Sequence, residues 1–284
     1  MQSFSHNFFA DAESTYKDAT YVIFGVPFDG TTSFKAGTRD APQAIRAVSY
    51  NLEAYLPYYN LDMSDILFHD MGDLCCDCLP DLVIDQVSDI ILDLHLDGKF
   101  PVLIGGEHSV TIGAVRTLAP MWYVVCDAHL DLQNEFRGSS YNHDSVTARI
   151  LEFVQNIILI GPRSGTREEF SFAREKCYLY TADDVQERGI SSVLEEVVDL
   201  IGDDTMYLSI DADAIDCCMT PGLGTPEPFG LTPADIRIVI REIAQKNVVG
   251  FDYVEVLPND MGQTAVVAAH MIREFIAGHY CAHN

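Results

Sequence analysis

The sequence predicts an α/β fold, a three-layer α/β/α sandwich around an eight-stranded parallel sheet. Eight short apolar runs alternate along the chain with segments in which apolar residues recur at the helical period. Continuously apolar strands that are joined by helices are typical of parallel sheets buried on both faces. No linker, internal repeat or low-complexity segment interrupts this alternation, so we expect residues 1–284 to form a single domain.

Each predicted strand is a short apolar run that ends at a cluster of glycine, proline or acidic residues. The first, YVIFGV, leads into a long loop rich in Gly, Thr and Pro, and WYVVC leads directly into three polar side chains. The predicted strands are Tyr21–Val26, Ile66–His69, Pro101–Ile104, Trp122–Cys126, Ile157–Ile160, Cys177–Tyr180, Tyr207–Ile210 and Val248–Val254.

Helices are predicted where apolar residues recur three and four positions apart. Asp40 and Thr232 are suitable N-caps for the helices that follow them, and either Ser191 or Ser192 could cap another. The predicted helices run from Ala41 to Val48, over Leu82–Leu96, Thr111–Leu118, Asp144–Val154, Arg167–Arg174, Ser192–Ile201 and Pro233–Gln245, and from Gly262 to Ile276.

The composition is strongly acidic, since 43 Asp and Glu residues against 17 Lys and Arg residues give a net charge of −26. Such a surface should repel nucleic acids and anionic membranes and attract metal ions or small cations. Solubility, or adaptation to a salty cytoplasm, would also explain the excess of acids. The charge alone therefore favours no single function.

We expect a cytoplasmic protein. The segment MQSFSHNFFADAES lacks the basic and apolar regions of a secretory signal, and no apolar run approaches the ~18 residues of a membrane span. The eight cysteines are then expected to be free thiols. Cys75, Cys76 and Cys78 lack the two separated pairs that are typical of a zinc site.

Side chains with the chemistry of metal ligands follow three of the predicted strands, in the segments GGEHS, DAHLD and SIDADAID. Residues two apart on a strand share a face, and the carboxyl ends of parallel strands meet at one edge of the sheet. Several of these side chains should therefore point at one place. The candidate ligands are His108, Asp127, His129, Asp131, Asp211 and Asp213, with Asp216 following in the last segment.

This ligand set favours a pair of transition-metal ions. Taken singly, DAHLD could be a capped loop and DADAID a calcium-type loop. Calcium prefers six to eight oxygen ligands, however, whereas imidazole with carboxylate suits manganese, iron, cobalt, nickel or zinc. Two histidines and four aspartates are too many ligands for one ion. They suit two ions about 3.5–4 Å apart that share carboxylates and activate a water between them.

The three segments together resemble the metal-binding signatures of the ureohydrolase family, which includes arginase and agmatinase, in order and spacing. GVPFDGTTSFKAGTRDAPQAIR and VEVLP also resemble flanking patterns of the family, so that the similarity covers nearly the whole chain. The resemblance implies an arginase-type fold, two Mn²⁺ ions, a small cationic guanidino substrate and a homo-oligomer, either a trimer or a hexamer.

The resemblance also implies a role for each site residue. Asp127 and Asp211 would bridge the two ions, and Asp131 would accept a proton from the attacking water. Glu255 would receive the guanidinium of the substrate, and His143 would pass a proton to the leaving amine. One ion would be held by His108, Asp127, Asp131 and Asp211, and the other by His129, Asp127, Asp211 and Asp213.

The resemblance favours agmatine as the substrate, with putrescine and urea as products in polyamine biosynthesis. The segment SSYNHDS lacks the pattern with which arginases hold the amino-acid end of arginine. Asp144, Cys217 and Phe229 depart from the family pattern close to the expected substrate tail. Arg163 could bind a substrate carboxylate, which leaves arginine, guanidinobutyrate, guanidinopropionate and formiminoglutamate as alternatives. A non-catalytic sensor of metal or of a cationic metabolite is an alternative of a different class.

Overall fold

The structure, a computed structural model, describes residues 8–284, and its main feature is an eight-stranded sheet in which all neighbouring strands are parallel. The order of strands across the sheet is β4-β1-β5-β10-β9-β6-β7-β8, and β2 and β3 form a separate antiparallel hairpin. In chain order the strands are β1 (Tyr21–Val26), β2 (Tyr55–Leu56), β3 (Leu61–Asp62), β4 (Phe68–Asp73), β5 (Phe100–Gly105), β6 (Trp122–Cys126), β7 (Asn156–Ile160), β8 (Tyr178–Tyr180), β9 (Met206–Asp211) and β10 (Val248–Val254).

Helices cover both faces of the sheet and bury two separate apolar cores. Tyr21 and Ile23 of β1 belong to one core, and Val22 and Phe24 belong to the other. This alternation is expected of a strand that is buried on both faces. It confirms the predicted three-layer α/β/α fold. The helices are α1 (Ala41–Ser49), α2 (Pro80–Leu96), α3 (Thr111–Leu118), α4 (Val146–Ile150), α5 (Arg167–Lys176), α6 (Ala182–Arg188), α7 (Ile190–Ile201), α8 (Pro233–Ile243) and α9 (Gln263–His283).

All eight predicted strands are present, but several predicted helix limits are wrong. The predicted helix Asp144–Val154 is shortened to α4, with turns on either side. The helix predicted to begin at Ser192 begins at Ile190 after Gly189, so that neither Ser191 nor Ser192 is its cap. Asp40 precedes α1 as predicted, but its side chain makes no capping hydrogen bond.

Helix α6 and the β2–β3 hairpin were not predicted. Helix α6 begins with a capping box in which the Thr181 hydroxyl accepts a hydrogen bond from the backbone N–H of Asp184, whose side chain accepts one from the backbone N–H of Thr181. The β2–β3 hairpin has strands of only two residues each, too short to show an alternation in the sequence.

Within the described part of the chain, every helix is too short or too polar to span a lipid bilayer. All eight cysteines are free, as expected from the sequence. The expectation that the chain carries no secretory signal concerns its first residues, of which 1–7 lie outside the described residues.

A buried ion pair joins α1 to the edge of the sheet. Arg46 is 1% exposed, and its Nε and Nη2 donate to the two carboxylate oxygens of Asp70 at 2.7 and 2.9 Å. Arg46 also pairs with Asp73, and Asp70 accepts a further hydrogen bond from the backbone of Phe9. These contacts explain why β4 contains two aspartates and extends beyond the predicted strand Ile66–His69.

Replacing Arg46 with methionine should destabilise the fold severely, because Asp70 would remain buried without its partner. We expect a loss of about 3–5 kcal/mol in the free energy of unfolding, measured by urea denaturation. Arg116→Met is the matched control, since Arg116 pairs with Asp85 at the exposed surface. That variant should lose less than about 1 kcal/mol. Equal losses in the two variants would contradict the structural role of Arg46.

Candidate metal centre

The six candidate ligands and Glu255 converge at the carboxyl ends of the four central strands of the sheet, which lie in the order β5, β10, β9 and β6. His108 follows β5, Glu255 follows β10, Asp211 ends β9 and Asp127 follows β6. Adjacent parallel strands bring these ends within side-chain reach of one another, as the sequence predicts. β5, β6 and β9 position the whole ligand set, β10 positions Glu255, and the edge strands of the sheet contribute no ligand.

One group of ligands surrounds the imidazole of His108. Its Nδ1 lies 3.2 Å from an oxygen of Asp127, 3.2 Å from one of Asp131 and 3.3 Å from one of Asp211. All four side chains are at least 95% buried. These are the four residues that the resemblance assigns to the first ion.

A second group surrounds His129 and shares Asp127 with the first. The Nδ1 atom of His129 lies 3.0 Å from Asp213 Oδ2 and 3.6 Å from Asp127 Oδ1. Backbone N–H groups fix the carboxylates, because Ala128 donates to Asp213 at 3.0 Å and Asp213 donates to Asp211 at 2.8 Å. The two groups are thus joined through Asp127 on β6 and through Asp211 on β9.

The backbone is strained where two of the site side chains enter the centre. Asp131 has a φ of 52° and Glu255 a φ of 63°, in the left-handed region that non-glycine residues seldom occupy. Each such conformation costs on the order of 1–3 kcal/mol. The surrounding fold maintains this strain and so directs both carboxylates inward.

The donor set fits divalent cations. His108 Nδ1 and Asp131 Oδ2 are buried without a hydrogen-bond partner, although they face each other at 3.2 Å. Burial and the charge of Asp127 raise the pKa of Asp131 to about 8. Burial and the charges of Asp213 and Asp127 likewise raise the pKa of Asp211 well above its ordinary value. Divalent cations would supply the missing positive charge and keep these carboxylates ionised.

A buried hydrogen-bond chain behind His108 prepares its Nδ1 to be a ligand. Ser209 donates to Asp252 at 2.5 Å, so its oxygen accepts from His108 Nε2 at 3.1 Å. Asp252 also accepts from Thr111 and Tyr207, each at 2.8 Å. The chain therefore favours a proton on Nε2, so that Nδ1, which faces the carboxylates, is the nitrogen that would bind a cation.

The sequence analysis missed Ser209 and Asp252. The signal that could have identified them is a polar residue within each of two otherwise apolar central strands, MYLSID and VVGFDYV. A polar side chain that is fully buried at such a position requires a partner. Both residues are 0% exposed, and together they supply that partner.

Glu255 and His143 both line a pocket in front of the ligands. The volume of this pocket is about 80 Å³. Glu255 Oε1 accepts the backbone N–H of His108 at 2.7 Å, and among residues 8–284 no hydrogen bond engages Oε2. Burial and the charge of Glu107 raise the pKa of Glu255 well above its ordinary value. A cationic ligand would therefore be stabilised next to this carboxylate.

The loop that carries His143 is fastened to the end of β5. Glu107 is fully buried and accepts hydrogen bonds from the backbone and hydroxyl of Thr31, at 2.7 and 2.6 Å. Thr31 in turn accepts the backbone N–H of His143 at 3.1 Å. The Nε2 atom of His143 is buried without a partner. Burial and the charge of His129 lower the pKa of His143 to about 4, so its imidazole is neutral.

Arg163 holds the loop that connects β9 to α8. Its guanidinium donates to the backbone carbonyls of Gly161, Asp213, Ala214, Glu227 and Pro228, at 2.7–3.3 Å. Every nitrogen of the guanidinium is thereby engaged. The predicted binding of a substrate carboxylate by Arg163 stays a prediction, and these five bonds favour a positioning role instead.

The residues that depart from the family pattern lie in two places. Asp144 lines the pocket, whereas Phe229 is 81% exposed on the loop that Arg163 holds. Cys217 lies on the same loop, where its backbone donates to Glu227 at 3.3 Å. Asp216 accepts hydrogen bonds from the backbones of Cys218 and Gly230 and stands apart from both ligand groups.

Comparison with known proteins gives a consistent result. The model of the arginase family matches residues 19–278. An N(1)-aminopropylagmatine ureohydrolase from Thermococcus kodakarensis is 40% identical over 261 residues, which are 89% of this chain and 88% of the relative. An agmatinase from Pyrococcus horikoshii is 36% identical over 92% of each chain. The solved structure of an agmatine ureohydrolase from Thermoplasma volcanium has a TM-score of 0.93 at 40% identity, covering 98% of this chain and 96% of its own.

Removing the Ser209 hydroxyl should weaken metal binding, because His108 would lose the group that fixes its orientation and protonation. We expect Ser209→Ala to lower the affinity for Mn²⁺ about 10–100-fold, measured by calorimetric titration. Ser171→Ala is the matched control, since Ser171 bonds only to the backbone of its own exposed helix. Unchanged affinity in Ser209→Ala would contradict the role of the chain behind His108.

Proposed function

Because the chain belongs to the arginase family, we propose that its metal centre hydrolyses a guanidino compound and that agmatine is the substrate, giving urea and putrescine. The chain is a metal-dependent ureohydrolase. The observation that carries the proposal is the convergence of six metal-type ligands, four of which line one pocket together with Glu255.

The proposal includes two Mn²⁺ ions. One would be held by His108, Asp127, Asp131 and Asp211, and the other by His129, Asp127, Asp211 and Asp213. The two histidine-centred groups of the structure, joined by Asp127, support this division. When bound, such ions supply Lewis acidity and lower the pKa of water.

The side chains of the pocket would orient the substrate and move protons. Glu255 would pair with the planar guanidinium through two hydrogen bonds. Asp131, whose Oδ2 has no hydrogen-bond partner, would accept a proton from the attacking water. His143 is neutral and presents an unpartnered Nε2 to the same pocket, so it could take up that proton and deliver it to the leaving amine.

Two observations support a substrate with a cationic tail. The net charge of −26 favours a small cation over an anion. Arg163, which could bind a substrate carboxylate, has all its guanidinium nitrogens occupied by backbone carbonyls. Agmatine and N(1)-aminopropylagmatine, on which the named relatives act, both carry an amine beyond the guanidinium. Cytoplasmic location and assembly into a trimer or hexamer are further parts of the proposal.

The direct test is urea release by the Mn²⁺-loaded protein from a panel of agmatine, N(1)-aminopropylagmatine, arginine, guanidinobutyrate and guanidinopropionate, with formamide release from formiminoglutamate. We expect agmatine to have the highest kcat/KM. Asp131→Asn and His129→Ala should lose more than the ~10–100-fold that the removal of an outer partner costs. Asp203→Asn, on an exposed turn, should keep full activity.

Near-native urea release by either ligand variant would refute the assignment of the site. A protein that binds Mn²⁺ but hydrolyses nothing in the panel would favour the sensor of a cationic metabolite over the enzyme. Preference for guanidinobutyrate or arginine would refute agmatine as the substrate. It would favour the alternative in which Arg163 binds the carboxylate of the substrate.

A further inference from the structure

We propose that Glu227 binds the distal ammonium of the substrate and thereby makes the enzyme select guanidines with a cationic tail. This inference rests on the proposed function and adds a specificity-determining residue to it. Glu227 belongs to the loop between β9 and α8, and nothing in its local sequence, TPEPFG, marks it as a ligand of any kind.

Glu227 lies on the outer side of His129. The Nδ1 atom of His129 faces Asp213 and Asp127 in the metal centre, whereas its Nε2 lies 4.0 Å from Glu227 Oε1. The Glu227 side chain is 34% exposed, so solvent reaches it. The imidazole ring of His129 lies between Glu227 and the carboxylates of Asp127 and Asp213. His129 and Thr225 both line the pocket, so Glu227, beside the first and two residues after the second, stands next to its rim.

The carboxylate of Glu227 is available for a ligand. Among residues 8–284, no hydrogen bond engages its oxygens, and the 4.0 Å to His129 exceeds the 2.7–3.2 Å of a hydrogen bond. In contrast, the other acids on the β9–α8 connection are engaged, since Asp213 accepts from Ala128 and Asp216 accepts from Gly230. The Glu227 carboxylate thus supplies a negative charge near the metal centre, has His129 at 4.0 Å as its ion-pair partner and makes no hydrogen bond within residues 8–284.

The backbone of Glu227 is fixed by hydrogen bonds, although its carboxylate makes none within residues 8–284. Its carbonyl accepts from Arg163 Nη2 at 3.0 Å and from the backbone of Cys217 at 3.3 Å. The same guanidinium nitrogen donates to the carbonyl of Asp213 at 2.7 Å, which ties this segment to a metal ligand. A carboxylate whose position is fixed before binding loses less entropy when it pairs with an ammonium.

The size of the pocket requires the tail to pass outward. With a volume of about 80 Å³, the pocket is far smaller than the ~300–1,000 Å³ of sites that enclose a whole small molecule. The remaining atoms of an aminoalkyl guanidine must then lie along the mouth, where Glu227 would attract an ammonium and repel a carboxylate. Phe229, two residues further on and 81% exposed, offers an apolar surface to the methylene groups.

The test compares Glu227→Gln with the wild type on agmatine, on butylguanidine and on guanidinobutyrate. Butylguanidine keeps the guanidinium and the four carbons of agmatine but lacks the ammonium. We expect kcat/KM for agmatine to fall about 10–100-fold through KM. We expect kcat/KM for butylguanidine to stay within about two-fold and that for guanidinobutyrate to rise. Glu187→Gln, an exposed glutamate of α6, is the control and should match the wild type.

Two results would overturn the inference. An equal loss on all three substrates, expressed in kcat, would mean that Glu227 orients His129 rather than the substrate. If Glu227→Gln leaves the substrate preference unchanged, Glu227 contacts neither His129 nor the substrate.

Calorimetric binding of agmatine and butylguanidine to the Mn²⁺-loaded protein separates this inference from the proposed function. If agmatine binding depends on Glu227 but agmatine is not hydrolysed, the inference is supported and the proposed hydrolase function is contradicted. If agmatine is hydrolysed and Glu227→Gln leaves the substrate preference unaltered, the hydrolase function is supported and the inference is contradicted.

Discussion

Mutual repulsion among buried carboxylates is the constraint on which the organisation of this protein depends. Asp127, Asp131, Asp211 and Asp213 are each at most 5% exposed, and three of them lie within 3.3 Å of one imidazole nitrogen. Such a group is stable only where positive charge or hydrogen-bond donors compensate for the lost hydration. The adjacent strands β6 and β9 place that group at one edge of the sheet, and the neighbouring segments supply the compensation.

The compensation comes in two forms. Backbone N–H groups of Ala128, His129 and Asp213 hold the carboxylates from the protein side. The serine and aspartate behind His108 direct its lone pair toward the same carboxylates. What the backbone cannot supply is net positive charge, and the raised pKa values of Asp131 and Asp211 reflect that deficit. A centre built this way is suited to divalent cations and, beside them, to a cationic substrate.

Much of the fold and of the ligand set could be predicted because both follow from local patterns. Apolar runs locate strands, and polar residues just after them must lie at the carboxyl edge of a parallel sheet. The location of DAHLD and SIDADAID at the carboxyl edge of the sheet could therefore be predicted from the sequence. Strand order cannot be read from such patterns, so the placement of β10 between β5 and β9, which brings Glu255 beside His108, was not predicted; the family resemblance implied only the role of Glu255.

The rest depended on contacts between distant segments. Arg163 looked like a residue at the rim of the site, but folding surrounds it with carbonyls from a loop more than 50 residues away. Ser209 and Asp252 become partners only because their strands pair in register, with Asp252 opposite Ser209. Glu227 carries no sequence signal, because its position depends on the path of a loop that Arg163 holds. Helix α4 is shorter than its apolar pattern suggests because the preceding residues form turns around His143.

The most direct measurement is anomalous diffraction at the manganese edge from crystals of the Mn²⁺-loaded protein. We expect two peaks about 3.5–4 Å apart, one beside His108 and Asp131 and the other beside His129 and Asp213, with Asp127 and Asp211 between them. A single peak, or peaks elsewhere such as beside Asp216 and Cys217, would contradict a two-ion centre built at the ends of the central strands.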